Sequence, residues 1–583
     1  MHLHSADLFG AYSPQQIHRQ SYRPHVPAAY KHQAVECFEE VCDEIEQEDP
    51  EQLAKALPQL FGTKYCEVRQ AVNAAAFRRR PLRVGVVLSG GPAPGGHNVI
   101  AGLFDFLRKV HPESKLFGFM GGMDGFFNMK YKTITPEHMA RFRNSGGFDM
   151  LWSGRGRVNG RKDMDKAVEV AKSLEMTGLV VVGGDGSCSN AALLANHMAE
   201  FLPSCSVVGV PKTIDGDLKN AVIESSFGFD TASKTYSELI GNLCVDVGSS
   251  KHTYHFVRVM GRSASHLVLE CALQTRPNLC LVGEEIERNN TSLKEIVQEI
   301  VELIAERKKK GVNFGVLLVP EGLIEFIPEI KKLIAECNEI VKKDGAFDKE
   351  KLSDEGRGTW DFLPEVIQDQ LLMEREATGY IQVAKVATER LLILLVKNQL
   401  YAEGIDQETH PEVSFMPHYF GYEGRCAMPS NFDANYCFSL GLTAGALIQN
   451  KRNGYMSLVR NLSLPTADWS AAGIPIVQLM KMYGKKGEEY PGVTKQLVDL
   501  DGPLFQVFKQ ARALWKYGDM YRNPGPIQFD GPVADGASYT VCIPVLEELI
   551  SYDKCEESRS CFRKSQEVLS PLQLSRLRFK PEV

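Results

Sequence analysis

The sequence predicts an α/β fold built on parallel sheets, and three observations support it. Short apolar runs, rich in β-branched residues, alternate with helical stretches, as buried parallel strands and their crossover helices do. Each run ends in Gly, Pro or a polar residue, and the 583 residues exceed the roughly 100–200 of one domain. The predicted strands lie at 84–88, 179–182, 207–210, 256–259, 279–282 and 316–319. Ligands bind beyond the carboxyl ends of such strands, so we expect the functional residues there.

Composition excludes several classes of protein. With 44% hydrophobic and 24% charged residues, the chain is neither disordered nor a disulfide scaffold. A net charge of -7 gives no global basic field for nucleic acid. The 14 cysteines form no CxxC pair or zinc-type cluster, which indicates reduced thiols. No signal peptide or membrane span is readable, so we expect a cytoplasmic protein with no membrane partner.

Two segments outside the strand pattern are expected to be helical. We predict a charge-rich helical extension over 1–80, with acids on one face of a helix at 34–48. We also predict a helical insert over 326–410, in which 342–355 is a charged loop and Gly379 interrupts the helix formers. Each segment adds length beyond the strand-bearing part of the chain.

The first predicted strand runs into a glycine-rich turn, SGGPAPGGHN at 89–98, which opens a helix. Glycines at such a turn let backbone N–H groups approach a phosphate, and the helix N-terminus adds positive potential. The pattern is neither GxxxxGK[ST] nor GxGxxG. A tight structural turn would explain the same glycines.

The second predicted strand ends in GGDGS at 183–187. An acid between glycines at the start of a helix, here Asp185, suits a Mg²⁺ ion that bridges phosphate oxygens. A plain helix N-cap is the alternative interpretation.

The third predicted strand ends in PKTIDGD, which places Asp215 and Asp217 beside Lys212 and Thr213. Such a group offers a base for a hydroxyl, a charge to hold a metal and a cation for developing phosphate charge. A solvated turn rarely crowds these residue types together. This motif therefore predicts catalysis more strongly than the others.

Three later motifs are weaker singly. Arg262 ends MGR after the fourth strand, Glu321 lies in PEG after the sixth, and Arg425 ends GYEGR further on. Arginine suits bidentate phosphate binding, and a Glu accepts sugar hydroxyls. A surface ion pair would explain each of them equally well. The segment 227–231, FGFDT, either lines the same cleft or forms a packed turn.

Taken together, SGG…APGG, GGDGS, PKTIDGD, MGR, PEG and GYEGR, in this order, resemble the phosphofructokinase family. The APGGHN and TIDGD variants, the QTRPN and GEE segments and the long insert are similar to its long, pyrophosphate-dependent subgroup. The resemblance extends from about residue 10 to beyond residue 520. It implies two doubly wound, Rossmann-like lobes: a phosphoryl-donor lobe at 81–235, a sugar-phosphate lobe at 236–325, and remaining lobe segments with a C-terminal tail at 411–583.

The resemblance also implies an activity: phosphoryl transfer to the 1-hydroxyl of fructose 6-phosphate, which gives fructose 1,6-bisphosphate in glycolysis. It assigns the base to Asp215, its catalytic partner to Asp217, and stabilisation of the pyrophosphate transition state to Lys212. Mg²⁺ is the implied cofactor, with Asp185 as its acid. The implied donor-binding residues are Gly90, Gly91, Gly184, Asp185, Gly186, Ser187 and Arg155. The implied fructose 6-phosphate contacts are Thr213, Asp215, Met260, Gly261, Arg262, Glu321, Tyr422 and Arg425.

One departure from the subgroup concerns the phosphoryl donor. Pyrophosphate-using relatives carry an Asp where this chain has Gly186, and that Asp takes the space and charge of the α-phosphate of ATP. A carboxylate ~4 Å from a phosphate charge costs on the order of 4 kcal/mol at a dielectric of 20, which is about three decades in affinity. Gly186 removes this block, while Lys212 is retained and Pro92 replaces the usual Gln. The resemblance of the whole chain therefore predicts pyrophosphate as the donor. Gly186 predicts that the chain also uses ATP at a measurable rate.

The sequence argues against two other classes of function. A regulatory, non-catalytic subunit of this family would have lost the catalytic acids, which are present here. A dinucleotide-binding dehydrogenase would need GxGxxG after the first strand, and the chain has none there. The resemblance further implies a homodimer or tetramer, or a complex with a related subunit.

Overall fold

Two large β-sheets, one of nine strands and one of four, organise the described part of the chain, beside a small sheet of two strands. The computed structural model describes residues 13–31, 34–42, 44, 47–71, 80–373, 381–407, 409, 412–484, 489–531, 534–538 and 540–542. The strands are β1 (Val35–Glu39), β2 (Cys66–Gln70), β3 (Arg83–Leu88), β4 (Lys115–Phe119), β5 (Tyr131–Thr133), β6 (Gly178–Gly183), β7 (Ser206–Pro211), β8 (Thr253–Val259), β9 (Leu279–Cys280), β10 (Gly315–Pro320), β11 (Ser414–Phe420), β12 (Tyr455–Arg460), β13 (Ser470–Pro475), β14 (Met480–Tyr483) and β15 (Tyr490–Val493).

Helices cover both sheets. In chain order they are α1 (Pro14–Ser21), α2 (Pro50–Ala56), α3 (Gly96–Val110), α4 (Gly122–Phe127), α5 (Pro136–Ala140), α6 (Arg161–Ser173), α7 (Asp185–Phe201), α8 (Phe229–Ser250), α9 (His266–Thr275), α10 (Gly283–Arg288), α11 (Leu293–Lys309), α12 (Leu323–Phe326), α13 (Pro328–Asp344), α14 (Asp354–Phe362), α15 (Glu365–Leu372), α16 (Thr388–Ala402), α17 (Tyr422–Arg425), α18 (Asn431–Gln449) and α19 (Pro503–Trp515). The mixture of parallel sheets and covering helices confirms the predicted α/β class.

The nine-stranded sheet has the order β1-β2-β13-β12-β7-β6-β3-β4-β5. Its central strands β12, β7, β6, β3 and β4 run parallel. Successive side chains of β3 enter different cores, with Val86 in the cluster on one face and Val87 in the cluster on the other. Burial on both faces explains why the strands at 84–88, 179–182 and 207–210 are continuous apolar runs, as predicted.

The four-stranded sheet has the order β11-β8-β10-β9, and all its pairs are parallel. The strands predicted at 256–259 and 316–319 are confirmed, and the one predicted at 279–282 is shorter, ending at Cys280. Strand β11 was not predicted, because its residues are only half-buried or exposed and it lacks an apolar run.

Helices α3 and α18 pack closely beneath the glycine-rich turn. A Cβ on Gly102 would collide with the carbonyl oxygen of Phe438, and one on Gly441 with that of Val99. Only glycine allows this approach. The contact fixes the start of α3, which immediately follows the turn at 89–95.

The predicted insert consists of helices packed on the four-stranded sheet. Ile330 of α13 and Leu391 of α16 share one buried cluster with Phe256 of β8. The charged loop predicted at 342–355 is wrong in part, because α13 continues through Asp344 and α14 begins at 354. Gly379 lies outside the described residues, and the domain boundaries themselves stay predictions.

The N-terminal segment differs from its prediction. The helix predicted at 34–48 is wrong, because β1 and β2 form a hairpin-like pair that joins β13 and extends the nine-stranded sheet. The acids Glu36 and Glu39 are three positions apart, as on a helix, but Val35–Glu39 pairs along its whole length with β2, and this pairing makes the segment a strand. Helix α1 is held by the buried Arg19, which donates to Asn431 Oδ1 at 2.7 Å and to the Pro429 carbonyl oxygen at 2.7 Å.

Two further observations concern helix apolarity and the cysteines. Within the part of the chain that the structure describes, no helix combines the length and apolarity needed to cross a bilayer. The described cysteines are all free thiols, and most of them are buried.

Candidate active site

The loops that follow β3, β6 and β7 join into one polar site, because these strands are neighbours in the parallel sheet. The Ser187 hydroxyl donates to Ser89 Oγ at 2.8 Å, which ties the second loop to the first. The Lys212 ammonium donates to the Gly91 carbonyl oxygen at 2.8 Å, which ties the third loop to the first. Motifs that are far apart in sequence, such as those of Gly91 and Lys212 at a separation of 121 residues, thus form one edge, here called the donor edge.

The first loop needs glycine at its tip. Gly90 has a φ of +84°, a backbone conformation that favours glycine. Its N–H donates to the Gly154 carbonyl oxygen at 3.0 Å, so this amide, predicted to bind the donor, has an internal partner in this structure. The same contact brings the exposed Arg155, the next residue, close to the loop.

The second loop opens α7. Asp185 is the first residue of the helix, and its side chain is 43% exposed. A Cβ on Gly186 would have no heavy atom within 4 Å, so this position has room for a larger side chain. Gly184, by contrast, lies against the Lys212 carbonyl oxygen, which a Cβ would approach to 3.4 Å.

Lys212 is the buried cation of the donor edge, with 8% of the residue exposed. Burial lowers the pKa of its ammonium, although the nearby carboxylates Asp215 and Asp217 oppose that shift. A Cβ on Gly90 would lie 3.6 Å from Lys212 Nζ, so the ammonium stands directly behind the glycine turn. A phosphate held by this turn would therefore meet a buried positive charge.

Asp215 is half-buried and has the properties of a base. Burial, with the charges of Asp217 and Glu321, raises the pKa of its carboxyl to about 6, against the opposing effect of Lys495 and Lys212. Its backbone N–H donates to Thr213 Oγ1 at 3.0 Å, which fixes the turn. A carboxylate with a pKa near neutrality accepts a hydroxyl proton more readily than an ordinary Asp.

Asp217 differs from its neighbour. Burial alone would raise its pKa, but the Lys495 ammonium, 3.2 Å from Asp217 Oδ2, holds the pKa below its ordinary value. The Ser263 hydroxyl also donates to Asp217 Oδ2, at 2.9 Å. Sequence reasoning missed both residues: Lys495 lies in no motif at the end of a predicted strand, and Ser263, which directly follows the MGR motif, was not singled out.

The ends of β8 and β10 form a second edge, here called the sugar edge. Glu321 is only 3% exposed, and its Oε2 accepts the Gly261 N–H at 3.0 Å. A Cβ on Gly322 would collide with the Arg262 carbonyl oxygen, so the two loops meet only because of that glycine. This contact brings together two motifs that were weak singly.

A buried chain of contacts supports Glu321 from behind. The Tyr419 hydroxyl donates to Glu321 Oε1 at 3.2 Å. The guanidinium of Arg258 lies 3.9 Å from the centre of the Tyr419 ring and forms a 2.7 Å ion pair with Glu389. Glu389 belongs to α16, so the helical segment reaches the sugar edge through two side chains. No predicted motif contained Tyr419, Arg258 or Glu389.

Helix α17 brings an arginine across to the donor edge. The Arg425 guanidinium lies 4.4 Å from the centre of the exposed Tyr422 ring. A Cβ on Gly91 would lie 3.6 Å from Arg425 Nη1, so the two edges meet here. Arg425 Nε is buried and has no hydrogen-bond partner within the described residues. An arginine in this state is suited to a phosphate oxygen.

The remaining predicted residues differ in placement. The Met260 N–H donates to the Phe420 carbonyl oxygen at 2.9 Å, and the Arg262 side chain is exposed at the sugar edge. The segment 227–231 is packed where the turn leads into α8: Asp433 accepts from the Gly228 and Thr231 N–H groups, and the Phe rings are buried. Of its two interpretations, the structure favours the packed turn.

The donor edge has the oxygen ligands that Mg²⁺ prefers. The carboxylates of Asp185 and Asp217 converge on one cation, because Lys495 Nζ lies 3.6 Å from Asp185 Oδ2 and 3.2 Å from Asp217 Oδ2. Among the described residues, no three His, Cys, Asp or Glu side chains are grouped to hold a metal by themselves. A magnesium ion that fits here would therefore complete its shell with phosphate oxygens and water.

Comparison with known proteins agrees with this arrangement. The sequence model of the phosphofructokinase family matches residues 83–448. The chain is 43% identical over 545 residues to the pyrophosphate–fructose 6-phosphate 1-phosphotransferase of Porphyromonas gingivalis, covering 91% of this chain and 98% of that protein. It is 44% identical over 499 residues to the beta subunit of the Ricinus communis enzyme of that name, covering 85% and 90%.

A solved structure shares the fold. The pyrophosphate-dependent phosphofructokinase from Nitrosospira multiformis superposes with a TM-score of 0.51 at 14% identity, covering 78% of this chain and 95% of that one. At this identity the likeness concerns architecture alone. The sequence match spans well over half of the chain, and the ordered motifs lie within it. The chain therefore belongs to the phosphofructokinase family.

Proposed function

We propose that this chain transfers a phosphoryl group from pyrophosphate to the 1-hydroxyl of fructose 6-phosphate, giving fructose 1,6-bisphosphate in glycolysis. The observation that carries the proposal is the position of Asp215: it shares the turn after β7 with Lys212 and Asp217 of the donor edge, and it lies close enough to Glu321 of the sugar edge for that carboxylate to help raise its pKa. A base placed between a phosphate site and a hydroxyl site is what this transfer requires. The names of the two relatives, which cover most of the chain, support the same reaction.

At the sugar edge, the chain's residues hold and orient fructose 6-phosphate. Glu321 accepts sugar hydroxyls, because its carboxylate is fixed by Gly261 and Tyr419. Arg425 and Arg262 bind the sugar's phosphate as cations. Met260, Gly261, Thr213 and Tyr422 complete the proposed contacts. The 1-hydroxyl then faces Asp215, which takes its proton as the oxygen attacks phosphorus and the bridging P–O bond of pyrophosphate breaks, releasing inorganic phosphate.

At the donor edge, positive charge stabilises the transferred group. Lys212 is preorganised by its hydrogen bond to Gly91. Because it is buried, no rearrangement of solvent around its ammonium is needed when negative charge develops on the phosphate oxygens. The loops at Gly90–Gly91 and at Gly184–Ser187 enclose the pyrophosphate, with Arg155 nearby. Asp217 keeps its negative charge because Lys495 and Ser263 hold it, so it stays a hydrogen-bond acceptor beside the base.

We assign Asp185 as the acid that holds Mg²⁺ on the donor. Bound magnesium supplies charge neutralisation for the phosphate oxygens. The half-exposed carboxylate of Asp185 is the group of the donor edge most open to an incoming metal–phosphate complex.

Pyrophosphate is favoured over the alternatives. The names of relatives across 85–91% of the chain favour pyrophosphate rather than ATP, and a catalytic rather than a regulatory role. The regulatory alternative is further weakened by Asp215, Asp217 and Lys212, which meet in one site. The open space at Gly186 agrees with the predicted tolerance of ATP, which stays a prediction.

The assembly and the domain roles are part of the same proposal. A relative is named as a beta subunit, and we infer that this chain also works in an oligomer, either with copies of itself or with a related subunit. We assign the donor lobe to 81–235, the sugar lobe to 236–325 and the remaining lobe segments to 411–583. The free thiols support a cytoplasmic location.

A donor comparison tests the proposal. The purified full chain is supplied with Mg²⁺ and fructose 6-phosphate, and with pyrophosphate or ATP in separate reactions. We expect fructose 1,6-bisphosphate with pyrophosphate and a measurable, smaller rate with ATP. No turnover with pyrophosphate would reject the proposed donor, and no turnover with ATP would reject the interpretation of Gly186.

A Gly186→Asp variant sharpens this comparison. The position has room for the side chain, so the variant should fold. We expect ATP use to fall by about three decades while pyrophosphate use stays within a few-fold, because the carboxylate repels the α-phosphate. An equal loss with both donors would contradict the steric and electrostatic explanation.

A further inference from the structure

Lys495 reaches the donor edge from a part of the chain outside the predicted motifs. It follows the β14–β15 hairpin, which packs on α7 through the Val493 N–H, a donor to Ser189 Oγ at 2.9 Å. The backbone on either side is fixed: the Thr494 N–H donates to the Leu479 carbonyl oxygen at 2.9 Å, and the Gln496 N–H to that of Asp217 at 2.8 Å. The Lys495 side chain therefore extends from a backbone segment that is fixed by hydrogen bonds, not from a free loop.

The ammonium connects three loops of the site. Its Nζ lies 3.2 Å from Asp217 Oδ2, 3.6 Å from Asp185 Oδ2 and 3.2 Å from Ser263 Oγ. Asp185 follows β6, Asp217 follows β7, and Ser263 follows β8 of the other sheet. The contact with Asp185 is longer than a hydrogen bond, so the N–H on that side can turn toward an incoming acceptor.

The charges of the donor edge explain why a phosphate donor needs a further cation here. Asp185, Asp215 and Asp217 would repel a multiply charged anion, and the buried Lys212 already donates to Gly91. The Lys495 side chain is 35% exposed, so an anion from solvent can reach this part of the donor edge. The Lys495 ammonium neutralises part of the negative charge of the carboxylates before the donor arrives. It remains beside the phosphate when the donor is bound.

We propose that Lys495 is a binding residue for the inorganic pyrophosphate donor, held ready by Asp217, Ser263 and Asp185. The proposal rests on the proposed function for the identity of the donor. It adds a residue that the sequence motifs do not contain. It also assigns the β14–β15 hairpin a role as the support of the donor site.

Binding and kinetics of a Lys495→Met variant test the proposal. Equilibrium binding of magnesium pyrophosphate to the full chain, without fructose 6-phosphate, should weaken at least tenfold. In steady state, KM for pyrophosphate should rise by a similar factor while KM for fructose 6-phosphate stays within about twofold. A Lys495→Arg variant should recover part of the loss, because it restores a cation at the same place.

Lys481→Met is the matched control. Lys481 lies in β14 of the same hairpin and is 34% exposed, and its partner is Glu48 at 3.3 Å rather than a residue of the site. We expect wild-type binding and kinetics from this variant. Pyrophosphate binding that is equally weak in both Met variants would overturn the proposal, because it would show a general effect of the hairpin's charge.

The remaining outcomes are also decisive. Unchanged pyrophosphate binding in Lys495→Met would overturn the proposal, and so would a parallel rise in both KM values, which a purely structural role predicts. If the wild-type chain bound pyrophosphate but did not transfer it, the proposed function would fail, while weaker binding by Lys495→Met would still support Lys495 as an anion-binding residue.

Discussion

The two edges of the site are built differently. At the donor edge, charged groups are held by one another: Lys495 bridges Asp217 and Asp185, and their charges perturb Lys212. At the sugar edge, the carboxylate of Glu321 is held by neutral donors, the Gly261 N–H and the Tyr419 hydroxyl. Groups that balance charge can follow the movement of charge during a reaction, whereas a carboxylate fixed by neutral donors presents constant geometry. The difference agrees with the proposed phosphoryl transfer at the first edge and the proposed sugar binding at the second.

Asp215 lies where the two edges meet. It belongs to the donor edge by sequence, yet the Glu321 carboxylate of the sugar edge helps to raise its pKa. Substitutions at the donor edge and at the sugar edge should therefore affect the binding of different substrates, and substitutions of charged residues at either edge should change the pKa of Asp215.

The largest expected effect is that of Asp215→Asn. An amide cannot accept the hydroxyl proton, and general base catalysis contributes roughly 10²–10⁴ in rate. We expect kcat to fall by about three decades, measured by the initial rate of fructose 1,6-bisphosphate formation. Fructose 6-phosphate should still bind, which equilibrium binding checks; a variant with more than a tenth of wild-type kcat would show that Asp215 is not the base.

Lys212→Met should come next. Loss of one preorganised donor to the transferred group typically costs about 10²–10³ in kcat. We expect such a loss with pyrophosphate, and little change in the affinity for fructose 6-phosphate. Thermal unfolding serves as the control, because this side chain is buried and also bonds to Gly91. Equal weakening of sugar binding would erase the distinction between the edges.

Tyr419→Phe probes the support of the sugar edge. The variant removes the hydroxyl that donates to Glu321 and keeps the ring beneath Arg258. A hydrogen bond to a charged group contributes about 1.5–3 kcal/mol, and Glu321 retains its bond from Gly261. We expect KM for fructose 6-phosphate to rise about tenfold, with KM for pyrophosphate unchanged. A rise in KM for pyrophosphate instead would contradict the role of Tyr419 in supporting sugar binding.

The smallest expected effect is on pH dependence. Asp215 must be ionised to act, so kcat/KM should fall as the pH falls through about 6, the raised pKa of its carboxyl. Glu321→Gln removes one negative charge that raises this pKa, and the acid limb should move to lower pH. Tyr419→Phe removes no charge and should leave the limb in place. An unmoved limb in Glu321→Gln would show that the two edges are not coupled.

Much of the donor edge could be predicted from sequence, because its residues lie in local motifs at the ends of apolar strands. Asp185, Lys212, Asp215 and Asp217 follow strands that are buried on both faces, and such strands are visible as continuous runs. Parallel order then places their ends side by side. The sugar-edge Glu321 was found in the same way, after β10.

The missed residues have a common physical cause. Tyr419 lies in a half-exposed strand without an apolar run, and Lys495 follows a short hairpin. Arg258 and Glu389 meet across 131 residues of sequence, a contact that no local pattern encodes. Strand β1 was predicted as a helix because its acids, Glu36 and Glu39, have helical spacing, and no local pattern reveals the pairing with β2 that makes the segment a strand.

The most direct test of the two-edge arrangement is a crossed kinetic comparison of Glu321→Gln and Lys212→Met. Fructose 6-phosphate is varied at saturating pyrophosphate, and pyrophosphate at saturating fructose 6-phosphate, for both variants and the wild-type chain. We expect Glu321→Gln to raise KM for the sugar phosphate at least tenfold with little change for pyrophosphate, and Lys212→Met to lower kcat with little change in the sugar KM. The same pattern of losses in both variants would contradict the division of the site into a donor edge and a sugar edge.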